Sequence, residues 1–378
     1  MKICFVASVP FAVNAFIAPV ILALVDAGWH VTVVVNCDSQ PLAHDITRRA
    51  EVLDVKFARN ISPLRDIRSL RTLNRIFREK QFDIVHSLMP KTGLLAMLAA
   101  RRQSVPIRVH TFTGQVWATK SGVFKLLLVC MDMLISRCAT ALLTDSQSQK
   151  DFLVRHRVAK PNRLKVLGSG SIVGVDTQRF APHPHWRQQV RQDLSIPISA
   201  FVIIYVGRMN VEKGVAELCM AFNSLASKLP NAQLLLVGPD DGMLQATLKT
   251  AVLASDRVHL IGWTAEPEKY LAAADVFCLA SYREGFGLSL IEAAASGLPS
   301  VASKIYGVTD AVVDGVTGFL TPVGDVAAIS SALAMLAEYP NLREKMGCEA
   351  RKRAQANFTQ QQVVAAWLDF YKLQSNLT

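Results

Sequence analysis

The chain has 378 residues, of which 51% are hydrophobic and 19% are charged, and its formal net charge is +11. This composition excludes a disordered chain, and the length favours two domains over one. Up to Phe180 there are 25 Lys and Arg against 12 Asp and Glu, and the remainder has 16 against 18. The N-terminal half is therefore the basic one. Basic surface suits nucleic acid, an anionic membrane or a phosphorylated substrate, with an ordinary solvated face as the alternative.

The cysteines and the N-terminus exclude further classes. The seven cysteines are scattered and form no CxxC pair, so neither a zinc site nor a disulfide framework is indicated, and we expect buried thiols in a reducing cytoplasm. Pro10 and Asn14 interrupt the apolar N-terminus, which argues against a signal peptide. No uninterrupted apolar run approaches the ~20 residues that span a bilayer.

The first elements predict an open α/β sheet. Residues 2–9 form a near-continuous apolar run typical of a buried parallel strand. A helix is predicted over residues 16–27, ended by Gly28, and a second strand over residues 30–36. Such a β-α-β opening is typical of doubly wound sheets. The segment between strand and helix, SVPFAVNAF, is predicted as an apolar loop that includes Phe16.

Residues 60–80 predict a basic amphipathic helix. Leu and Ile repeat at helical spacing, and five arginines lie between them. Two uses stay open, because the apolar stripe can pack on the domain or dock on a membrane surface.

Polar residues follow the next two predicted strands, where α/β proteins bind ligands. His86 lies near the end of the strand at residues 81–88, and Lys91 is predicted in the loop beyond it. A second strand is predicted to end at His110, followed by Thr113 and Gly114. A lone histidine is often structural, so a buried role for His110 remains the alternative to a ligand contact.

Residues 120–137 predict an apolar helix that is too short and too charged to span a membrane. The helix is either a buried member of the layer outside the sheet or, together with Trp117, the lining of an approach for a lipid acceptor. The short polar segment at residues 181–186 then marks the best domain boundary.

The second half restarts the pattern and adds two cations. Arg208 directly follows a predicted strand at residues 201–206, and Lys213 comes five residues later. A planar guanidinium and a mobile ammonium can converge on one diphosphate and neutralise the charge that develops on a leaving nucleoside diphosphate. Ordinary surface ion pairs are the alternative. Gly262 and Trp263 follow a later strand of the same half.

Residues 281–303 contain two carboxylates on either side of a glycine-containing turn. Glu284 is predicted on the loop and Glu292 in the first turns of a helix that starts near Leu288. Gly285 and Gly287 allow a tight turn. The amides around residues 286–289, including that of Phe286, suit a phosphate, and a carboxylate can accept hydrogen bonds from both hydroxyls of a ribose. The alternative is a strand–turn–helix unit whose acids face water.

These motifs make the sequence recognisable. EGFGLSLIE followed by AAASGLP, with GRxxxEKG around Arg208 and Lys213, resembles the donor-site signature of retaining glycosyltransferases of the GT-B fold in the large family numbered four. The resemblance implies an α/β fold of two Rossmann-like domains facing each other across a cleft. The acceptor domain would cover residues 1–180, with a terminal helix at 360–373 packing back, and the donor domain residues 187–359.

The resemblance also implies roles. Glu284 and His110 would contact the donor sugar, Glu292 the ribose, and Arg208 with Lys213 the diphosphate. The base would lie against Gly262 and Trp263, and the turn at Gly285, Phe286, Gly287 and Leu288 would complete the donor site. The family's paired glycines are missing from the first loop, which favours an apolar acceptor, and the acceptor-side candidates are Phe16, Lys91, Thr113 and Gly114.

HTFTGQVW at residues 110–117 resembles the subgroup that builds bacterial surface polysaccharides on polyprenyl-diphosphate lipids. The implied activity is retaining transfer from a nucleoside-diphosphate sugar, with UDP-hexose or UDP-N-acetylhexosamine expected. The implied partners are that donor, a polyprenyl-diphosphate-linked saccharide and an anionic membrane, at the inner face of the cytoplasmic membrane. No metal is expected, because no DxD motif is evident in the donor half, and no cofactor, since the nucleotide-sugar is a substrate. A nucleotide-sugar epimerase of this fold is the runner-up. A nucleic-acid binder comes last, because no such module is visible.

Overall fold

A computed structural model describes residues 1–38, 40–58, 60, 62–242 and 255–376. The chain divides into two compact units. Unit 1 comprises residues 1–174 together with 360–378, and unit 2 comprises residues 175–359. The polar segment at residues 181–186 lies within unit 2.

Unit 1 is built on a parallel sheet, in which the described residues form seven strands in the order β3-β2-β1-β4-β5-β6-β7. The strands are β1 Lys2–Val6, β2 His30–Val35, β3 Glu51–Asp54, β4 Ile84–Leu88, β5 Ile107–Phe112, β6 Ala141–Thr144 and β7 Leu164–Val166. The helices are α1 Pro10–Ala12, α2 Ala18–Asp26, α3 His44–Arg49, α4 Pro63–Lys80, α5 Pro90–Arg102, α6 Gly122–Cys138 and α7 Gln147–Arg155. The order reverses between β1 and β4, which creates a crevice at the carboxyl ends of those strands.

Helices α4, α5 and α6 lie side by side on one face of this sheet, with α5 packed against both neighbours. They share an apolar core that includes Leu73 of α4, Met97 of α5 and Ile135 of α6. Each helix follows a strand and returns to the start of the next parallel strand. The three helix N-termini therefore lie at the carboxyl edge of the sheet.

The connection after β1 differs from the sequence prediction. Helical structure begins at Pro10 rather than at Phe16, and a π-helical turn over Val13–Ile17 joins α1 to α2. Proline is favoured in the first turn of a helix, where its missing N–H costs nothing, and this explains the early start. The predicted apolar loop is thus largely helical, and Phe16 lies in the π-helical turn, where its ring meets that of Phe11 edge to face.

Unit 2 repeats the architecture with a six-stranded parallel sheet among its described residues, in the order β10-β9-β8-β11-β12-β13. The strands are β8 Phe201–Val206, β9 Ala232–Val237, β10 Val258–Gly262, β11 Val276–Leu279, β12 Ser300–Ser303 and β13 Gly318–Thr321. The helices are α8 Pro184–Asp193, α9 Val215–Ala226, α10 Pro267–Ala273, α11 Leu288–Ala295, α12 Val308–Ala311, α13 Val326–Glu338 and α14 Pro340–Asn357. Its order reverses between β8 and β11.

The last helix, α15 Gln360–Ser375, belongs to unit 1, where it packs against α2. Trp367 and Tyr371 are buried there. The Tyr371 hydroxyl lies 2.5 Å from Nδ1 of His86 on β4, and Trp367 Nε1 donates to the Ile172 carbonyl at 2.9 Å. Within the described ranges, no helix combines the length and the apolar character that crossing a bilayer requires.

Candidate active site

The predicted donor-site residues of unit 2 gather at the reversal point of its sheet. Arg208 follows β8 by two residues, and Glu284 lies on the loop that leaves β11. Strands β8 and β11 are hydrogen-bonded neighbours, so both loops emerge at the same edge. This is where doubly wound sheets bind nucleotides.

A salt bridge joins the two loops. Lys213 Nζ lies 2.6 Å from Glu284 Oε1, which also accepts a hydrogen bond from Ser281 Oγ at 2.8 Å. A close approach at Gly214 makes this possible. Its φ is +66°, and a Cβ there would lie 2.0 Å from the Ala280 carbonyl oxygen. Only glycine fits a left-handed conformation with so little space, and it holds Lys213 against the β11 loop.

Arg208 is also paired within unit 2. Its Nη1 lies 3.1 Å from Asp241 Oδ2, and Asn210 Nδ2 donates to the same oxygen at 3.2 Å. About half of the Arg208 side chain is exposed, so the guanidinium can leave this surface partner at little cost. Both predicted diphosphate cations are thus paired with carboxylates of unit 2.

At the N-terminus of α11, Gly287 has the left-handed backbone conformation that favours glycine, and Gly285 does not. Gly287 precedes the helix with φ +84° and offers no side-chain cap, which leaves the first amides of the helix without intrahelical partners. The Phe286 ring is buried and contacts Phe358 edge to face. Of Phe286, only the backbone remains for a ligand. The aromatic contact anchors the turn that presents Leu288 and Ser289.

Glu292 lies on α11 in an environment that disfavours its ionised form. Burial raises the pKa of the Glu292 carboxyl to about 7; Arg179 opposes the shift and Glu268 reinforces it. Arg179 is itself held by Glu268 through a 2.8 Å ion pair. The Glu292 carboxyl group is therefore partly protonated near neutral pH. A ligand that donates hydrogen bonds to it would favour the ionised form.

Replacing Glu292 by Gln should stabilise the unliganded protein more at pH 8 than at pH 5. The folded-state pKa is raised, so the wild type loses stability as pH rises from about 4.5 to 7 and the penalty is complete above that range. A shift of this size corresponds to at most about 3 kcal/mol, or several degrees in Tm. Thermal scans of wild type, Glu292→Gln and the exposed-site control Glu338→Gln would measure it. An equal difference at both pH values would contradict the prediction.

Gly262 ends β10 with φ +72°, and its carbonyl accepts a hydrogen bond from the Gly238 amide at 2.8 Å. Trp263, which follows, is 71% exposed. A tryptophan that leaves most of its ring in water is not a core residue. The Trp263 ring is therefore available to a planar ligand.

In unit 1, His110 is buried on β5, which runs two residues beyond it to Phe112. The prediction that the strand ends at His110 is thus wrong. Ser87 Oγ lies 2.8 Å from Nδ1, and the ring packs so tightly on α5 that a Cβ at Gly93 would lie 2.4 Å from it. Burial lowers the pKa of His110 to about 3, so the imidazole is neutral near pH 7. Its Nε2 has no hydrogen bond among the described residues.

The structure gives three other predicted residues of unit 1 a different setting from the one expected. Both nitrogens of His86 are engaged, by Tyr371 and by Thr111 Oγ1 at 2.8 Å, so His86 is structural. Lys91 is not on a loop but in the first turn of α5, where it forms an ion pair with Asp66 at 2.6 Å. Trp117 is buried and donates to Asp132 at 2.7 Å, which removes it from any acceptor approach.

The remaining acceptor-side candidates, Thr113 and Gly114, lie directly after β5, and Gly114 is buried with φ +106°. Two further residues at carboxyl ends of strands were not predicted. Asp145 follows β6 and is buried, and burial raises the pKa of its carboxyl to about 8. Asp241 follows β9 and pairs with Arg208. An acid within a few residues of the end of a buried apolar strand, as in ALLTDS and LLLVGPDD, is the signal that could have identified both positions.

Comparison with known proteins agrees with this geometry. Residues 187–353 match the family of glycosyl transferases group 1, and residues 12–170 match the glycosyl transferase 4-like domain. The capsular polysaccharide biosynthesis glycosyltransferase CapM of Staphylococcus aureus is 31% identical over 330 residues, covering 87% of this chain and 86% of CapM. The Escherichia coli UDP-Gal:alpha-D-GlcNAc-diphosphoundecaprenol alpha-1,3-galactosyltransferase is 30% identical over 287 residues, covering 74% and 73%.

Among solved structures, Anabaena HepE in complex with UDP and glucose superposes with a TM-score of 0.81 at 19% identity, covering 98% of this chain and 99% of HepE. The two sheets and these likenesses confirm the predicted α/β class of two Rossmann-like domains and define a protein of the GT-B fold. More narrowly, the chain belongs to the group 1 glycosyltransferases, with a glycosyltransferase 4-like N-terminal region.

Proposed function

We propose that this glycosyltransferase moves a hexose or N-acetylhexosamine from UDP to a lipid-linked saccharide during assembly of a bacterial surface polysaccharide, with retention at the anomeric carbon. One observation carries the donor half of this proposal: Lys213 pairs with Glu284 where the order of the unit 2 sheet reverses, and Arg208 follows β8 at the same edge. The name of the E. coli relative, which uses UDP-Gal and a diphosphoundecaprenol-linked sugar, supports UDP and the lipid acceptor. CapM supports the polysaccharide.

The chemistry follows from the charges. As the sugar departs, negative charge grows on the β-phosphate, and Lys213 and Arg208 stabilise it once they have exchanged their carboxylate partners for phosphate oxygens. The amides at the start of α11 add donors of the same kind. In this proposal these groups do the work that a divalent cation does in other transferases.

Glu284 and Glu292 orient the donor. Once Lys213 has moved to the diphosphate, Glu284 accepts hydrogen bonds from sugar hydroxyls, and Glu292 accepts them from the two ribose hydroxyls. Both contacts suit an ionised carboxylate, because it only accepts hydrogen bonds. The exposed Trp263 ring stacks on the base beside the Gly262 backbone. The neutral His110 of unit 1 uses Nε2 for a sugar hydroxyl. Retention is proposed to arise from front-face attack, with the leaving phosphate accepting the acceptor proton.

We place the enzyme at the inner face of the cytoplasmic membrane, where nucleotide-sugars and a lipid-linked acceptor meet. The exposed arginines of α4, among them Arg68, Arg71 and Arg75, support this location, because basic side chains are attracted to anionic lipid. They make no ion pair within the described part of the chain.

Thermal stabilisation by UDP-, GDP-, ADP- and dTDP-sugars at one concentration tests the donor proposal, since a ligand raises Tm according to its affinity for the native state. We expect a shift with the UDP series alone, lost in Arg208→Ala and retained in Arg257→Ala. Arg257 is an arginine of unit 2 whose hydrogen bonds to the described residues go to backbone carbonyls. The best donor is then assayed with a polyprenyl-diphosphate-linked N-acetylhexosamine. A shift with another nucleotide series would overturn UDP, and epimerised donor without acceptor would replace transfer by epimerisation.

A further inference from the structure

Helix α6 presents an apolar face to water. Val123 is 84% exposed and Leu126 63% exposed, and neighbouring side chains share that face. The exposed apolar members are Val123, Phe124, Leu126, Leu127 and Leu134, with Cys130 also exposed. We call this set the α6 face. Of the charged residues of α6, Lys125 is partly buried over the Trp117 ring, Asp132 is buried beneath it, and Arg137 is exposed in the last turn of the helix.

This pattern reverses the usual arrangement of a surface helix, whose outer side is polar. The expectation that α6 is a buried member of the outer layer is therefore wrong for the α6 face. The inner side of α6 packs in the core, where Ile135 and Cys138 join the buried residues of α4 and α5. A contiguous set of exposed leucines marks a surface that is covered in the working state of the protein.

Exposed apolar side chains recur at the start of α4. Leu64 is 84% exposed and Ile67 is exposed, so the predicted apolar stripe of α4 packs on the domain only from Ser69 onward. Arg65 and Arg68 flank them and are exposed, without ion pairs among the residues described. Helices α4 and α6 are separated by α5 alone, so the two patches are on the order of 20 Å apart.

Topology puts both patches at one edge of unit 1. Helix α4 follows β3 and α6 follows β5 in a parallel sheet, so both helices start at its carboxyl edge. That edge also carries the loops after β4 and β5, where Thr113 and Gly114 lie. An apolar surface bordered by unpaired arginines is complementary to one kind of partner, an anionic lipid bilayer, in which acyl chains meet the leucines and headgroups meet the guanidinium groups.

We propose that the α6 face inserts into the acyl region of an anionic membrane while Arg65 and Arg68 of α4 contact its headgroups. This deepens the proposed function, because it rests on an acceptor held in that membrane. Insertion by α6 brings the carboxyl edge of the unit 1 sheet to the bilayer surface, where a lipid-linked saccharide displays its sugar.

The first test measures flotation of the full chain with vesicles of phosphatidylcholine containing phosphatidylglycerol, without donor or acceptor. The triple variant Val123→Gln, Leu126→Gln, Leu127→Gln keeps helix propensity and charge and should lower the partition coefficient by roughly tenfold or more. Ile198→Gln, an exposed apolar residue of unit 2, serves as the matched control and should bind like the wild type. Stabilisation of the triple variant by UDP should be unchanged, which separates this proposal from the donor site.

The second test locates the insertion. An environment-sensitive fluorophore on Cys130, in a chain with Cys37→Ser and Cys348→Ser, should brighten and shift to the blue when vesicles are added. The same fluorophore on Cys348 of α14, with Cys37→Ser and Cys130→Ser, should not respond. Arg65→Gln with Arg68→Gln should weaken binding at low salt and much less at high salt, because exposed charges are screened.

Three results would overturn the proposal. Unaltered vesicle binding by the triple variant would remove the α6 face from the membrane contact. A silent label on Cys130 in vesicle-bound protein would do the same. Conversion of a dimer to a monomer by the triple variant, without a change in vesicle binding, would assign the α6 face to a contact between two copies of this chain.

Discussion

Lys213→Ala should lower kcat/KM for the nucleotide-sugar by about 10²–10³-fold, the usual loss when one preorganised group that stabilises a developing anion is removed. Lys213 is the partly buried cation of the donor site, and its 2.6 Å contact with Glu284 fixes its position before the donor arrives. Both kcat and donor affinity should fall, because the ammonium contacts the diphosphate before and during bond cleavage. Steady-state kinetics with a fixed lipid acceptor measure the effect.

Lys228→Ala is the matched control, because Lys228 is an exposed lysine of unit 2 without an ion pair in the part of the chain that the structure describes. It should leave both constants unchanged. A Lys213→Ala protein that folds, as judged by its Tm, and turns over at the wild-type rate would contradict the assignment of Lys213 to the diphosphate.

Glu284→Gln should reduce kcat by about 10² or more, because a misplaced sugar loses the orientation on which the attack depends. Glutamine keeps the size of the side chain and an oxygen that can accept from Ser281. It removes the charge that pairs with Lys213 and strengthens hydrogen bonds from sugar hydroxyls, and it replaces one acceptor oxygen by a donor. The expected signature is a fall in kcat larger than the rise in KM. A protein with normal kcat would remove Glu284 from the sugar.

A double-mutant cycle separates two roles of Glu284, since it both faces the donor and holds Lys213. If Glu284 acts only by positioning Lys213, the double variant will be no worse than Lys213→Ala alone. If it also contacts the sugar, as we propose, the double variant will lose a further factor. Glu212→Gln, which breaks the neighbouring Glu212–Arg283 pair at 2.7 Å, controls for general loosening of the loop.

The gathering of the candidate donor-site residues at one edge of the unit 2 sheet could be predicted because its determinants are local in sequence. Arg208, Gly214, Glu284 and Gly287 lie in two short motifs whose glycines fix the backbone, and parallel strands bring the ends of both motifs to one edge. The sequence marks Asp241 as an acid beyond the end of a strand, but it does not predict that this acid pairs with Arg208. Asp241 lies 33 residues from Arg208, and the pairing follows only from β9 lying beside β8.

The candidate residues of unit 1 were harder to predict from the sequence, because their roles depend on tertiary contacts. The sequence around a histidine at the end of an apolar run does not show how many of its ring nitrogens are hydrogen-bonded. Both nitrogens of His86 have partners, whereas only Nδ1 of His110 has one among the described residues. Lys91 was misplaced because Pro90 begins a helix at once. The outer side of α6 was predicted wrongly because the sequence shows which side chains are apolar, but not which of them pack against another helix.

The place of α15 has a consequence for how the protein is made. Its buried Trp367 and Tyr371 complete the core of unit 1 beside His86, yet this helix follows the whole of unit 2 in the chain. During synthesis, residues 1–174 leave the ribosome without it. Because domains fold as they emerge, the His86 ring on β4 stays without its Tyr371 partner until unit 2 and α15 have been synthesised. The unit that is translated first is thus the one that is finished last.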